Sequence, residues 1–428
     1  MTRNSSILGW LRVSLTLLLC FGLVLGAVAL SEAKVRVRVM AEGWMFDYFP
    51  QLRNWASDFN EKHPEVSVEM LKTPNTEDVY KQFLMKFRIK RSDMDLLIGP
   101  HSGNILPFVQ GGYFEDWSKY LPAEIKADYP EGFLKACSYN GKLYLLPFYD
   151  EITGIAYRKD LAQAAGIKDA PRNWDELFQY AKKLNNPQKG IWGMSWDTES
   201  AWYFMNTAYV PRMISLVGAD KVYDKNWVID TSSKAAHEAF ATFKTWNDSG
   251  TYLTIPNVAK WEETEAFKAG KVAILGHWLS HGAWAEESWG KKNIGYWPIP
   301  ADKYQGSCIA IGGAAIISLS SDEVKKWAAK FYIEQVIPNL DKALMAAGWT
   351  PLRKSVYQKP DSPSWMRDIL DQSLQNVVYL PPSAIFYDMQ ETTALAIQKV
   401  LLGQATIEAA LKEATATINK AYQAAAGK

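Results

Sequence analysis

Asp150 and Glu151 are the residues best placed to do chemistry. They are adjacent carboxylates followed by Thr153 and Gly154, set between the apolar runs 143–148 and 155–157. A carboxylate at such a break can accept charge-assisted bonds from ligand hydroxyls, or serve as one member of a glycoside-hydrolysing acid pair. The pattern fits a chain that leaves one hydrophobic core, passes a cleft and enters another. It equally fits one long strand bulged at Asp150 and Glu151, and these residues alone leave both open. A second grouping is His277 and His281, one helical turn apart as in a zinc pair, but no nearby Cys or third His completes a metal site. No glycine-rich phosphate loop, no Gly-x-Ser-x-Gly elbow and no His-Glu-x-x-His occurs, so the motif-marked enzyme and cofactor classes are not indicated. No cofactor is expected.

The elements that must position these residues alternate. Residues 35–39 read as a strand, 49–63 as a helix with Leu52, Trp55, Ala56 and Phe59 on one face, 66–71 as a strand, 76–89 as a helix and 94–98 as a strand. Such alternation implies a mostly parallel sheet covered by helices, whose ligands sit beyond the carboxyl ends of the strands. Glu42, Trp44, Asp47, Asn75 and His101 occupy loops at those ends. Past residue 157 a second set begins: a helix opened by Asn173 and Trp174, a strand over 191–196, a helix striped by Ala236, Ala239, Phe240 and Phe243, and a strand over 272–275 ending at Gly276, His277 and Trp278. The stretch 296–307 reads as a return crossing into an apolar strand that starts at Cys308. A helix over 322–336, the loop 347–353 and two terminal helices parted at Gly403 complete the chain.

With 428 residues, two domains are expected. A net charge of +1 from 47 basic and 46 acidic side chains gives no basic stripe, which argues against nucleic acid as a partner and favours a small neutral ligand. Eighteen Trp and 21 Tyr exceed what a core needs and suit stacking surfaces in wet clefts. Residues 1–33 have Arg3 and Arg12, an uncharged apolar run and small residues around Ala33, the pattern of a secretory signal peptide; an uncleaved anchor is the alternative. Export leaves Cys137 and Cys308 in an oxidising compartment, with pairing left open.

Several segments in order resemble the solute-binding proteins of ABC importers, the broad sugar-binding family that includes the maltose-binding protein. They are Pro147-Phe148 with Glu151 and Ala156-Tyr157-Arg158-Lys159-Asp160-Leu161; Asn173-Trp174-Asp175-Glu176-Leu177; Phe267-Lys268-Ala269-Gly270-Lys271; Gly348-Trp349-Thr350-Pro351-Leu352-Arg353; and Glu408-Ala409-Ala410-Leu411. The family usually has Asn where Arg158 stands. The resemblance implies an α/β, two-lobed periplasmic-binding-protein fold, each lobe a mostly parallel sheet flanked by helices, with a ligand cleft at the hinge. The expected lobes are 34–149 with 309–356, and 150–308 with 357–428. It implies a monomeric periplasmic or cell-surface receptor that captures a sugar-like solute and delivers it to a membrane permease, without enzymatic activity. A secreted glycoside hydrolase acting on oligosaccharides is the rival. Glu151 then matches the acidic hinge residue that bonds sugar hydroxyls, Trp278 the ring that stacks on the sugar, and Tyr387 a further cleft aromatic. With Trp44, His101, Trp196, Glu199, Trp349 and Arg353 they form the expected ligand-binding set, and Trp202 and Trp284 are undecided between cleft and core.

Overall fold

The computed structural model describes residues 34–73, 79–198, 200–253, 262–359, 369–370, 374, 376–380 and 382–426. The expected signal peptide, Asn75 and Glu199 lie outside them. The strands are β1 Val35–Ala41, β2 Val66–Lys72, β3 Leu96–His101, β4 Ser138–Tyr139, β5 Lys142–Leu143, β6 Leu146–Arg158, β7 Trp192–Trp196, β8 Tyr252–Leu253, β9 Val272–Trp278, β10 Ile294–Trp297, β11 Ser307–Ile316 and β12 Val377–Tyr379. Apart from the small β4–β5 hairpin they form one extended sheet in the order β2-β1-β3-β11-β6-β9-β7-β8, with β10 on β6 and β12 on β11.

The two ends of that sheet are parallel, β1 with β2 and β3 at one end and β7 with β8 and β9 at the other. Amphipathic helices such as Leu52–Lys62 and Trp174–Leu184 lay their Trp, Leu and Phe stripes on it, as parallel sheets require. Between the ends β6 and β11 run antiparallel. The first half of β6 pairs with β11 and the second half with β9 and β10, so one 13-residue strand serves both ends. Of the two readings left open at Asp150 and Glu151, the molecule uses features of each: an unbroken strand that passes from one core to the other. Its register slips opposite Gly312 and Gly313, ahead of the carboxylates rather than at them. Gly312 is required there, because a Cβ would stand 2.0 Å from the Tyr149 ring.

Hydrophobic side chains gather into two large cores. One takes Val37, Phe59, Leu97, Phe148, Ile311, Phe331 and Leu352; the other takes Ile155, Leu177, Met213, Phe240, Ile274, Ile397 and Ile418. Cys137 belongs to the first and Cys308 to the second, and both are buried free thiols. Among the described residues no helix is long and apolar enough to cross a membrane.

Candidate functional site

Alternation along β6 sends neighbouring side chains to opposite faces. Asp150 is buried against the loop after residue 346, where both its oxygens lie 2.6 Å from the Thr350 hydroxyl. Glu151, half-buried, acts instead on the hydroxyls of Tyr149 and Tyr203. Around Glu151 the strand ends converge. From the first core, Trp44 and Tyr80 donate to the Glu42 carboxylate, and Tyr149 meets the His101 Nε2 at 2.8 Å. From the second, Trp202 lies 4.7 Å from the His101 ring, and Tyr203 lies 4.6 Å from that of His277. Burial first, and the nearby carboxylates second, hold the phenols of Tyr80, Tyr149 and Tyr203 well above their usual range, so all three remain hydroxyl donors.

At one side of this region Trp44 stacks on Trp349 at 6.1 Å and Tyr48 stacks on Trp284 at 4.9 Å. Trp284 follows β9 and Tyr48 follows β1, so the ring cluster joins the two ends of the sheet. The chain enters Tyr203 through the turn Ala201–Tyr203 and leaves by a π-helical turn, Phe204–Tyr209, a local overwinding often found at functional positions.

The sequence from residue 47 to 333 matches the bacterial extracellular solute-binding protein family. The chain belongs to that family. Among similar solute-binding relatives, the mannitol-binding protein of Pseudomonas aeruginosa is 29% identical over 50% of this chain and 49% of its own length. The diacetylchitobiose binding protein of Streptomyces coelicolor is 25% identical over 49% of each. Aligned segments reach about 60% of the length of other curated relatives that the chain matches. In fold, the chain is similar to maltose-bound MalE3 of T. maritima, with TM-score 0.77 and 21% identity over 90% of this chain and 99% of that one. It is also similar to a solute-binding protein from Agrobacterium radiobacter in complex with ribitol, with TM-score 0.73 and 20% identity over 90% and 98%. The two-lobed α/β architecture expected of solute-binding proteins is therefore the one found.

Within this solute-binding fold, the rings of Trp44, His101 and Trp349 of the expected set are linked through Tyr149, Trp202 and Trp284, with Trp349 itself buried at the edge of the first core, and Glu151 acts on the same Tyr149. Tyr387 stands at the margin, 44% exposed, beside Phe386, whose ring faces Trp202. Three other residues of the expected set sit in different surroundings. Trp196 is packed in a mutual cluster with Trp174 and Trp246 and over Gly276, where a Cβ would lie 2.1 Å from its ring, and its N–H donates to the Thr207 carbonyl at 2.8 Å. Arg353 is a structural cation, paired at 2.5 Å with the buried Asp341, which also caps the Leu352 N–H. Trp278 is 1% exposed and packs in the second core rather than presenting an open stacking face, although its indole N–H has no hydrogen-bond acceptor among the described residues. The residues that sequence reasoning passed over are Tyr48, Tyr80, Tyr149, Tyr203 and Glu263. Tyr80 reads as part of a core stripe and Tyr48 as plain loop, and nothing local distinguishes a hydroxyl that ends in a cleft.

Proposed function

We propose that this chain is the extracytoplasmic receptor of an ABC importer, closing about its hinge on a sugar, sugar alcohol or oligosaccharide and handing it to a membrane permease. In this reading the segment 1–33 exports it to the periplasm or cell surface, where it acts as a monomer without cofactor and without chemical turnover. The lobes are 34–149 with 309–356, and 150–308 with 357–428. The observation that carries the reading is Glu151: a carboxylate on the strand shared by both cores, whose charge acts on Tyr149 of one core and Tyr203 of the other, with the Trp44 and His101 rings against Tyr149 and the His277 ring against Tyr203. Sugars present CH faces that suit such rings and hydroxyls that suit carboxylates and phenols. The names of the relatives, which include mannitol- and diacetylchitobiose-binding proteins, support the ligand class.

A thermal-shift screen of the purified protein against sugars and polyols tests it. A ligand at one hundred times its dissociation constant adds about 2.7 kcal/mol of stability. A flat response across the whole library, or turnover of an oligosaccharide by the purified protein, would contradict the reading.

A further inference from the structure

Asp197, Glu263 and His277 come from three separate elements: the end of β7, the helix Glu262–Lys268 and the end of β9. All three are buried, and one polar atom from each lies within 4.8 Å of the others. Neither Glu263 oxygen finds a hydrogen-bond donor among the described residues, although the side chain is only 2% exposed. The Tyr203 ring packs on His277 at 4.6 Å, and the Tyr203 hydroxyl senses Glu151, Asp197 and Glu263 alike, so the cluster adjoins the cleft carboxylate.

We propose that Asp197, Glu263 and His277 form a second polar anchor of the solute cleft, one that takes two neighbouring hydroxyls of an uncharged sugar or sugar alcohol and turns away acidic sugars. The inference rests on the receptor reading. The protons decide the chemistry. The Trp278 backbone N–H donates to His277 Nδ1 at 2.8 Å, so the neutral imidazole carries its proton on Nε2, which faces Glu263 Oε1 at 3.5 Å. A metal held through Nε2 would need the lone pair at that atom, so the arrangement fits hydrogen bonding better than ligation. Two buried carboxyls this close do not both ionise readily. Burial pushes Glu263 up to about 7 and the Glu262 charge adds to the rise, while the polar groups of its own backbone and of Asp197 pull it part of the way back. Below about pH 7 the pair holds one proton between its two carboxyls, and the Ser200 N–H already donates to Asp197 at 2.9 Å. The pair then offers both a donor and acceptors, the complement of a vicinal diol, while the remaining negative charge repels a sugar carboxylate. Among the described residues, the other titratable or polar groups around this cluster are Tyr203, His281, whose ring stacks on His277 at 3.5 Å and whose Nδ1 is 2.7 Å from the Thr264 hydroxyl, and, through Tyr203, Glu151 and Tyr48.

The test is calorimetric titration of wild type, Glu263→Gln and Glu263→Ala with mannitol, ribitol, maltose, gluconate and glucuronate at pH 6 and 8.5, each variant checked for folding by circular dichroism. Wild type is expected to bind a neutral probe and neither acid, with affinity falling about tenfold or more at pH 8.5 as the proton is lost. Glu263→Gln, which mimics the protonated acid, should keep the pH 6 affinity within a few-fold and lose the pH dependence. Glu263→Ala should lose tenfold or more at both pH values. A neutral probe bound equally by wild type and Glu263→Ala overturns this inference alone. If Glu263→Ala does not fold, a pH dependence unchanged in Glu263→Gln overturns it equally. No binding of any probe by wild type removes the receptor reading and this inference with it.

Discussion

Replacing Asp150 with Asn should flatten part of the protein's stability profile against pH. Asp150 is 2% exposed, and both its oxygens lie 2.6 Å from the Thr350 hydroxyl. Burial raises its carboxyl from 3.8 to about 7; the Thr350 bond opposes the rise and the Asp341 charge adds to it. The folded protein therefore holds a proton that the unfolded chain releases above pH 3.8. Stability is highest at low pH for this group, is lost as pH rises from there through about 7, and is level beyond. At about 1.4 kcal/mol per unit the whole window is worth roughly 4 kcal/mol, of which roughly 2–3 kcal/mol falls between pH 5 and 8. Asn keeps the shape and cannot ionise. Urea unfolding of wild type and Asp150→Asn at pH 5, 6, 7 and 8 reads the difference, and groups common to both proteins cancel. The variant should gain on wild type steadily up to pH 7. Parallel profiles would show that Asp150 is already ionised in the fold.

Three further outcomes follow from where side chains sit. Trp278→Ala should cost about 3–5 kcal/mol of folding stability, as for large core rings, and a variant that unfolds at the wild-type denaturant midpoint would return Trp278 to an open cleft face. Arg353→Ala should lower stability by roughly 2 kcal/mol by leaving the buried Asp341 without its cation, while solute affinity measured by calorimetry stays within a few-fold. Thiol titration of the unfolded, unreduced mature protein should find two reactive thiols from Cys137 and Cys308; none would mean that the two cores admit a bridge.

The order of elements was legible because each strand is a short apolar run and each helix carries a stripe at helical spacing, as at Leu52, Trp55, Ala56 and Phe59. The crossing strand was legible as a place and ambiguous as a shape, since an apolar run with polar residues in it describes both a break and a bulge. Site residues were harder for a physical reason. A strand end presents alternate residues to opposite faces, so Trp196 and Trp278 at the ends of β7 and β9 read alike whether they meet core or cleft. Only packing decides, and for Trp196 it is the bare surface of Gly276 that draws the ring inward. Asp150 and Glu151 show the same one-residue sensitivity, one facing Thr350 and the other Tyr149 and Tyr203. Asp197, Glu263 and His277 are separated in sequence and form a group through the β7–β9 pairing and the packing of the helix Glu262–Lys268 on β9, so no local motif announces them.

The central claim is that a sugar-like solute is held at Glu151 on the shared strand. Calorimetric titration of wild type and Glu151→Gln with the sugars or polyols that raise the melting temperature tests it most directly. A charge-assisted bond to a hydroxyl is worth about 1.5–3 kcal/mol, so the variant should bind about tenfold or more weakly and discriminate less between epimers. Equal affinity and equal epimer selectivity in the two proteins would place the ligand elsewhere.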